Sequence, residues 1–446
     1  MPKDKDFKRL VRARMDKTGE SYTTARARLR PAVADETGGA PPTAAGSGGS
    51  DPRKVPGQHP ETAAVARVLA ELGLTHPATG EPLGEQLLLG IGGGIGVAYF
   101  VFEYQDFTSL YVGGRINPHV LGRELVDAVC ERVGAPAVVR QTASPKVAER
   151  QLREALDAGH GVVATIDPTS LPWYGLPQAM AGMMPEPVMV RLEGDGPAVF
   201  GLAPAPVPLS WAELASARAS VRPSKHRLVV VEAPAGPVDL ARAVTGGIRD
   251  TCRGMLEPPM RNFGVPALAK WAELLVDRRD KKGWPTVFPP GPRLYDALRW
   301  VVYWIEASGT GGGAFRGMYA GFLDEAAGAL DRPEPSGLAE EYRELAASWS
   351  ALAEAALPDS VPGLGRARDL LVRKRQLVRQ RGAGAGAEVA ALARELDTLD
   401  GELRRDFPLD AGAAQALVAE LAERVDGLRA GEERAATALR AVVGEA

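Results

Sequence analysis

The stretch HPETAAVARVLAELGL, residues 59–74, has the pattern of a helix with a sharply defined start. Its alanines, valines and leucines recur at the three- and four-residue spacing of a helix, which predicts a helix over residues 61–72. Pro60 suits the first helical turn, because its fixed φ is helical and the N–H that it lacks would be unpaired there. We therefore expect the globular part of the chain to begin here.

The composition is that of an ordinary globular protein. The 446 residues are 45% hydrophobic and 24% charged, and the formal net charge of −3 argues against a protein that binds polyanions over its whole surface. The two cysteines, Cys130 and Cys252, lie far apart in helix-like patterns, so they provide neither a disulfide framework nor a metal knuckle. This cysteine usage predicts a reducing, cytoplasmic setting.

Neither an export signal nor a membrane span is predicted. The N-terminus is polar and charged, without the apolar core of a signal peptide. The longest apolar run, residues 86–102, contains five glycines and is shorter than the roughly 20 residues that a membrane helix needs.

Four parts follow one another along the chain. Residues 1–30 contain ten Lys/Arg against four Asp/Glu and predict a small basic helical hairpin. Residues 31–57 are rich in Pro, Gly, Ala and Ser, which is typical of a flexible linker. Residues 58–234 alternate helices and strands and predict an α+β domain, whereas residues 235–446 predict an all-α bundle. The strands are expected at residues 97–102, 137–140, 161–166, 188–192, 198–202 and 228–232, with EGDG as a hairpin turn between the fourth and fifth.

The glycines of GIGGGIGVAYFVF, residues 90–102, do not form a dinucleotide-binding fingerprint. The third glycine of G-x-G-x-x-G would fall on Ile95 or Val97, and the glycines precede a strand instead of following one. We interpret this stretch as a turn in which close backbone approach either lines a cleft or packs a helix against the sheet.

A second glycine cluster, Gly309, Thr310, Gly311 and Gly312, joins two predicted helices and is followed by Arg316. Free N–H groups at that helix start, together with Arg316, predict a carboxylate or phosphate site. The alternative, which we favour slightly, is a tight helix corner in which Arg316 pairs with a nearby acid.

Metal and nucleic-acid chemistry have little support. The five histidines show no metal-ligand spacing, so we expect no metal and no cofactor. The basic segment 1–30 allows a weaker hypothesis of a nucleic-acid-associated regulator, but such a segment needs no ligand when it is simply solvated.

Several segments together resemble the butirosin biosynthesis protein H family. They are HPETAAVARVLAELGL, GEQLLLGIGGGIGVAYFVFEY, GGR and LDAGHGVVATIDPTSLPWYG, in this order. The segments NFGVPALAKWAELL, KKGWPTVFPPG and IEASGTGGGAFRGMYAGFLDEA resemble the uncharacterised helical domain that usually follows. The resemblance implies a papain-like or bacteriocin-peptidase-like (C39-like) fold used for acyl transfer, from a carrier protein's phosphopantetheine thioester to an aminoglycoside amine.

The resemblance also implies where a catalytic triad would stand. The family cysteine follows the histidine at the first helix start, where this chain has Pro60 after His59. The family histidine falls on Glu186 or a proline beside it, Pro185 or Pro187, and the family acid falls on Ala203. All three positions lack the required chemistry, which predicts a fold retained for binding.

We therefore expect a protein of specialised metabolism that binds an acyl carrier protein, an acyl intermediate or another partner. The expected cleft is edged by His59, Gly92, Gly93, Gly94, Arg115, Asp167 and Trp173. The alternative is an acyltransferase or amide-forming enzyme with relocated groups, for which His59 and Thr62 are candidates, while Cys130 is expected to pack in the core. The long C-terminal helices are expected to bury their apolar faces within the bundle or across a homo-oligomer.

Overall fold

Helix α1 spans Pro60–Glu71 in the computed structural model, which describes residues 56–104 and 107–444. His59 is its N-cap, and the imidazole Nδ1 accepts a hydrogen bond from the Thr62 N–H at 3.4 Å. The predicted helix over 61–72 is thus confirmed to within one residue at each end. The predicted basic hairpin over 1–30 lies outside the described residues, as does the predicted linker over 31–57 apart from its last two residues.

A two-stranded antiparallel sheet follows α2 (Glu85–Ile91) and consists of β1 (Ile95–Glu103) and β2 (Thr108–Arg115). Strand β2 was not predicted, because its sequence TSLYVGGR carries two glycines. The structure explains one of them. A Cβ on Gly114 would lie 2.7 Å from the carbonyl oxygen of Ala314, so glycine lets the strand pass the turn that precedes helix α11 (Arg316–Leu330).

A larger antiparallel sheet has the strand order β3-β8-β4-β5-β6-β7 among the described residues. Its predicted strands are present, and residues 193–196 form the predicted hairpin turn between β5 and β6. Helix α6 was not predicted, and residues 118–133 contain two short helices, α3 and α4. The bounds are α3 Pro118–Leu121, α4 Leu125–Val133, β3 Ala137–Arg140, α5 Pro145–Asp157, β4 Val162–Ile166, β5 Glu186–Glu193, β6 Gly196–Phe200, β7 Val207–Pro208, α6 Trp211–Ala219 and β8 Leu228–Val231.

From residue 240 onward the described chain is helical, as predicted. The helices are α7 Leu240–Leu256, α8 Gly264–Val276, α9 Trp284–Val287, α10 Pro292–Val302, α11, α12 Glu334–Ala356, α13 Pro362–Arg381, α14 Gly386–Arg405 and α15 Ala411–Val442. Helix α10 continues into a π-helical turn, Tyr303–Ala307, a type of irregularity that is common at functional sites.

The strand-containing and helical parts share their hydrophobic cores. One core joins α1, α2 and the small sheet to the C-terminal helices, and Gly90 of α2 allows the Phe322 ring to approach where a Cβ would lie 2.2 Å from it. A second core joins the large sheet to Leu377 and Val389 of α13 and α14. Residues that are distant in sequence therefore meet at the N-terminal end of α1. In the part of the chain that the structure describes, no helix has both the length and the hydrophobicity of a membrane span.

Candidate binding cleft at the start of helix α1

A cavity of about 390 Å³ lies at the N-terminal end of α1. This volume is within the range of small-molecule sites. His59, Pro60 and Glu61 form one side of it. The remaining walls come from β2, the segment 168–187, α10 with its π-helical turn, Phe315, and α13.

His59 is held as a neutral donor at the cavity wall. Burial lowers the pKa of His59 well below its usual value, and the positive charges of Arg115 and Arg375 lower the pKa further. Its Nδ1 accepts the Thr62 N–H, which places the proton of the neutral ring on Nε2. The ring lies edge-on to Phe315, with 5.1 Å between ring centroids.

Thr62, the other candidate for a relocated catalytic group, is fully buried and does not line the cavity. Its hydroxyl donates to the Glu85 carboxylate at 2.8 Å. The same carboxylate accepts the backbone N–H groups of Gln58 and His59, at 3.0 and 3.1 Å. Glu85, which sequence reasoning did not identify, therefore fixes the backbone at the start of α1. Because the Thr62 hydroxyl donates to this carboxylate, Thr62 has a structural role here.

Glu186 begins β5 and lines the cavity, opposite the start of α1. The Tyr174 hydroxyl donates to its Oε1 at 2.5 Å, and Arg375 Nη1 lies 3.9 Å from its Oε2. Burial raises the pKa of the Glu186 carboxyl. A buried carboxyl therefore stands at the position for which the resemblance implied a histidine, with Pro185 and Pro187 beside it in the same wall.

Ala203, the position implied for the acid, is buried and does not line the cavity. The turn between α13 and α14 packs directly on it, since a Cβ on Gly382 would lie 2.8 Å from the Ala203 Cβ. Ala203 carries no group that could orient another side chain, and it packs against this turn instead of facing the cavity.

Arg115 lines the cavity as expected from the sequence and forms an ion pair with Glu61 at 2.9 Å. Asp167 and Trp173 do not line it; their neighbours Pro168 and Tyr174 do. Asp167 is fully buried and caps the turn that follows β4, where it accepts the backbone N–H groups of Thr169 and Gly182. Its acceptor capacity is thus used within the protein.

The glycine turn Gly92, Gly93 and Gly94 also lies outside the cavity wall, contrary to our expectation of a cleft edge. A Cβ on Gly94 would lie 2.3 Å from the Thr251 hydroxyl, and that hydroxyl donates to the Gly93 carbonyl at 2.8 Å. The glycines therefore serve the close approach of α7 to the start of β1, which is the packing alternative stated above.

The expected anion site at Gly309–Gly312 and Arg316 is not available to a ligand. Arg316 is fully buried and donates to the Glu432 carboxylate at 2.7 Å and to the carbonyls of Gly96, Gly114 and Ala314. The Thr310 hydroxyl donates internally, to the Ile305 carbonyl at 2.6 Å. The cluster is a helix corner in which Arg316 pairs with an acid, the alternative that the sequence analysis favoured.

Backbone strain is concentrated beside the cavity. The chain has positive φ at each position from Gly311 to Phe315, including Ala314 at 50° and Phe315 at 72°. Non-glycine residues adopt this conformation only when surrounding structure enforces it, and such residues cluster at functional sites. Phe315 itself lines the cavity against His59.

Sequence reasoning missed two further walls of the cavity. Cationic groups come from α10 and α13, as Arg299, Lys374 and Arg375. The apolar wall comes from the segment 180–184 and from α10 with its π-helical turn, as Met180, Met183, Met184, Trp300 and Trp304. The cluster of methionines in AMAGMM and of aromatics in RWVVYW was a sequence signal, but the pattern alone could not show that the two face each other.

No thiol lines the cavity within the described residues. Cys130 and Cys252 are buried in α4 and α7, and burial raises the pKa of the Cys130 thiol to about 12. The described residues also contain no cluster of side chains suited to a metal ion.

Comparisons with known proteins agree with this arrangement of two parts. The family model described as butirosin biosynthesis protein H, N-terminal, matches residues 59–186, and the model of a domain of unknown function, DUF4872, matches residues 212–373. No curated protein matches the chain. The chain therefore carries a butirosin biosynthesis protein H N-terminal domain followed by a DUF4872 domain.

Proposed function

We propose that the chain is a butirosin-H-like protein of specialised metabolism whose cleft binds an acyl-bearing small molecule, free or on its carrier protein. In this proposal the cleft has lost thiol-dependent acyl transfer. The observation that carries the proposal is Pro60, which occupies the wall of the cavity at the first position of α1. A thiolate nucleophile would gain most from the helix dipole at this place.

The relation of α1 to the large sheet supports a papain-like arrangement. Helix α1 packs against β5, and Glu186 at the start of β5 and Pro60 at the start of α1 line the same cavity. In a papain-like enzyme a nucleophile at a helix start faces a base on a neighbouring strand. In this proposal Pro60 and Glu186 stand at those two places, and Pro60 supplies no nucleophile.

One observation favours a second candidate function, an acyltransferase with relocated groups. The Tyr174–Glu186 pair lies in the cavity wall, and a buried carboxyl with a raised pKa is a typical general base or acid. In such a reaction an amine would attack the thioester carbonyl, Glu186 would accept the proton of the amine, and the C–S bond would break to release the carrier thiolate, which takes that proton from Glu186 and leaves as the thiol. The new C–N bond would be an amide.

Incubation of the full chain with an acyl carrier protein, a short acyl thioester of N-acetylcysteamine and a primary amine as acceptor distinguishes the two functions. Binding is measured by calorimetry, thiol release by a chromogenic disulfide reagent and covalent adducts by intact mass. We expect binding without thiol release above the buffer rate and without an adduct. Thiol release that is lost in E186Q but not in E193Q, an exposed acid at the other end of β5, would instead support the acyltransferase.

A further inference from the structure

The guanidinium of Arg375 lies in the cavity wall and has no hydrogen-bond acceptor among the described residues. Its Nε is buried and has no partner, and no hydrogen bond joins its guanidinium to any described residue. The acid paired with it, Glu186, lies 3.9 Å from Nη1, which is beyond hydrogen-bond distance. An arginine presents five N–H donors, so most of this donor capacity is unused.

The other arginines at the cavity have close acidic partners. Arg115 pairs with Glu61 at 2.9 Å, and Arg299 pairs with Asp400 at 3.1 Å. The Arg375 side chain is 20% exposed, so its charge is partly removed from water, and a close counter-charge would compensate that cost. Arg299 also has a buried Nε without a partner, but Arg375 differs from Arg115 and Arg299 in having no acid within hydrogen-bond distance.

The guanidinium of Arg375 lies beside the turn at Gly309. A Cβ on Gly309 would lie 3.0 Å from Arg375 Nη2 and 2.9 Å from Pro60 Cδ, so the guanidinium sits beside the start of α1. The φ of +85° at Gly309 is itself one that favours glycine.

Lys374 adds positive charge to the same wall. Its ammonium donates to the Gly175 carbonyl at 3.1 Å, and burial together with the charge of Arg299 lowers the pKa of Lys374 to about 8. Two of the three acids in the cavity wall are paired with other arginines, Glu61 with Arg115 and Asp296 with Arg404 at 2.8 Å. The third, Glu186, accepts a hydrogen bond from Tyr174 and faces Arg375 at 3.9 Å. An anion would thus meet an excess of cationic groups.

The apolar wall indicates that the rest of the ligand is apolar. Met180, Met183 and Met184 are flexible side chains that adapt to the shape of an apolar chain. Trp300 and Trp304 stack with 6.0 Å between ring centroids and complete this wall. The cavity therefore combines a fixed cationic group with an adaptable apolar surface.

We infer that Arg375, assisted by Lys374, is the anion subsite of this cavity and that the ligand is an amphiphilic anion, a carboxylate or phosphate ester with an apolar chain. This inference rests on the proposed function, because it names the class of molecule that the cleft binds. The planar fork of Arg375 would hold two oxygens of the carboxylate or phosphate group, while the chain lies on the methionines.

Calorimetry with three eight-carbon probes tests the inference: octanoate, octyl phosphate and neutral octan-1-ol. We expect at least one of the two anions to bind about 10- to 100-fold more tightly than the alcohol. R375M should remove this preference, and R375K should lose part of it because lysine lacks the fork. R379M is the matched control, since Arg379 lies one turn further along α13 and also has an unpartnered buried Nε, but does not line the cavity.

The outcomes are distinct. Tighter binding of octyl phosphate, or of octanoate, identifies the head group and in either case supports the anion subsite. Equal binding of all three probes, unchanged in R375M, would overturn the inference and leave the proposed binding function intact. Absence of binding by every probe would also overturn it, and the thioester experiment then decides the proposed function separately. R375K retains the charge opposite Glu186 and provides the decisive variant should R375M not fold.

Discussion

The phenol of Tyr174 donates a hydrogen bond to the Glu186 carboxyl at 2.5 Å, in the wall that faces the start of α1. Burial raises the pKa of Glu186 despite this bond and despite the nearby charge of Arg375. The folded chain therefore holds the proton of Glu186 at pH values at which the unfolded chain has released it. The direction of this pKa shift determines how Glu186 contributes to the free energy of unfolding as the pH changes.

The first prediction is that the stability advantage of the wild type over E186Q decreases as pH rises. Glu186 contributes its full stability below its unfolded pKa of about 4.3, and this contribution is lost as pH rises through the higher folded pKa. Urea denaturation of both proteins from pH 4 upward measures the difference, in which Glu85 and other acids with raised pKa values cancel. A difference that grows with pH would contradict the assignment.

The second prediction concerns Pro60→Cys. A thiol at the first position of α1, near the charge of Arg375, should have a pKa below the usual value of about 8.5 and react rapidly with iodoacetamide at pH 7. The control is Ser348→Cys, an exposed position in the middle of α12 where no such effect acts. Peptide mass spectrometry gives the rates. Equal rates for the two variants would mean that the start of α1 does not activate a nucleophile.

Local signals were sufficient for much of the fold. Proline at the first position and the three- and four-residue periodicity located α1, and alternating or continuous apolar runs located β3, β4 and β8. Strand β2 was not predicted because its glycines are needed for a tertiary contact, the close approach of Gly114 to the Ala314 carbonyl. Such a requirement has no signature within the strand itself.

The candidate site was only partly predictable for the same reason. His59, Pro60, Arg115 and Glu186 could be placed, since they lie on elements that follow one another in the first half of the chain. Arg375 reaches the cavity from a helix more than 300 residues after His59, and its charge looked like that of any solvated arginine on an Arg-rich helix. Only the packing of α13 against the large sheet gives that charge its role.

The third prediction is that Arg316 supports the fold and binds no anion. R316M should lower the free energy of unfolding by about 3–5 kcal/mol, because it leaves the buried Glu432 carboxylate without its cationic partner. R366M, which removes one half of the exposed pair with Glu395, should change that free energy little. Chemical denaturation measures both. Similar stabilities of the two variants would contradict the structural role.

The fourth prediction links the turn at Gly309 to the anion subsite. G309A introduces a Cβ 3.0 Å from Arg375 Nη2 and 2.9 Å from the Pro60 ring, at a φ of +85°, so either the turn or the guanidinium must shift. We expect a destabilisation of about 1–2 kcal/mol together with weaker binding of the anionic probes and unchanged binding of octan-1-ol.

Gly427→Ala provides the matched control for this variant. Gly427 lies within α15 where a Cβ would contact nothing within 4 Å, so the substitution should stabilise the chain by about 0.5–1 kcal/mol and leave probe binding unaltered. Calorimetry and thermal denaturation of both variants give the comparison. Because G309A alters no charge, a selective loss of anion binding would support a displaced guanidinium of Arg375. An equal loss of alcohol binding would instead indicate that the whole cavity has changed shape.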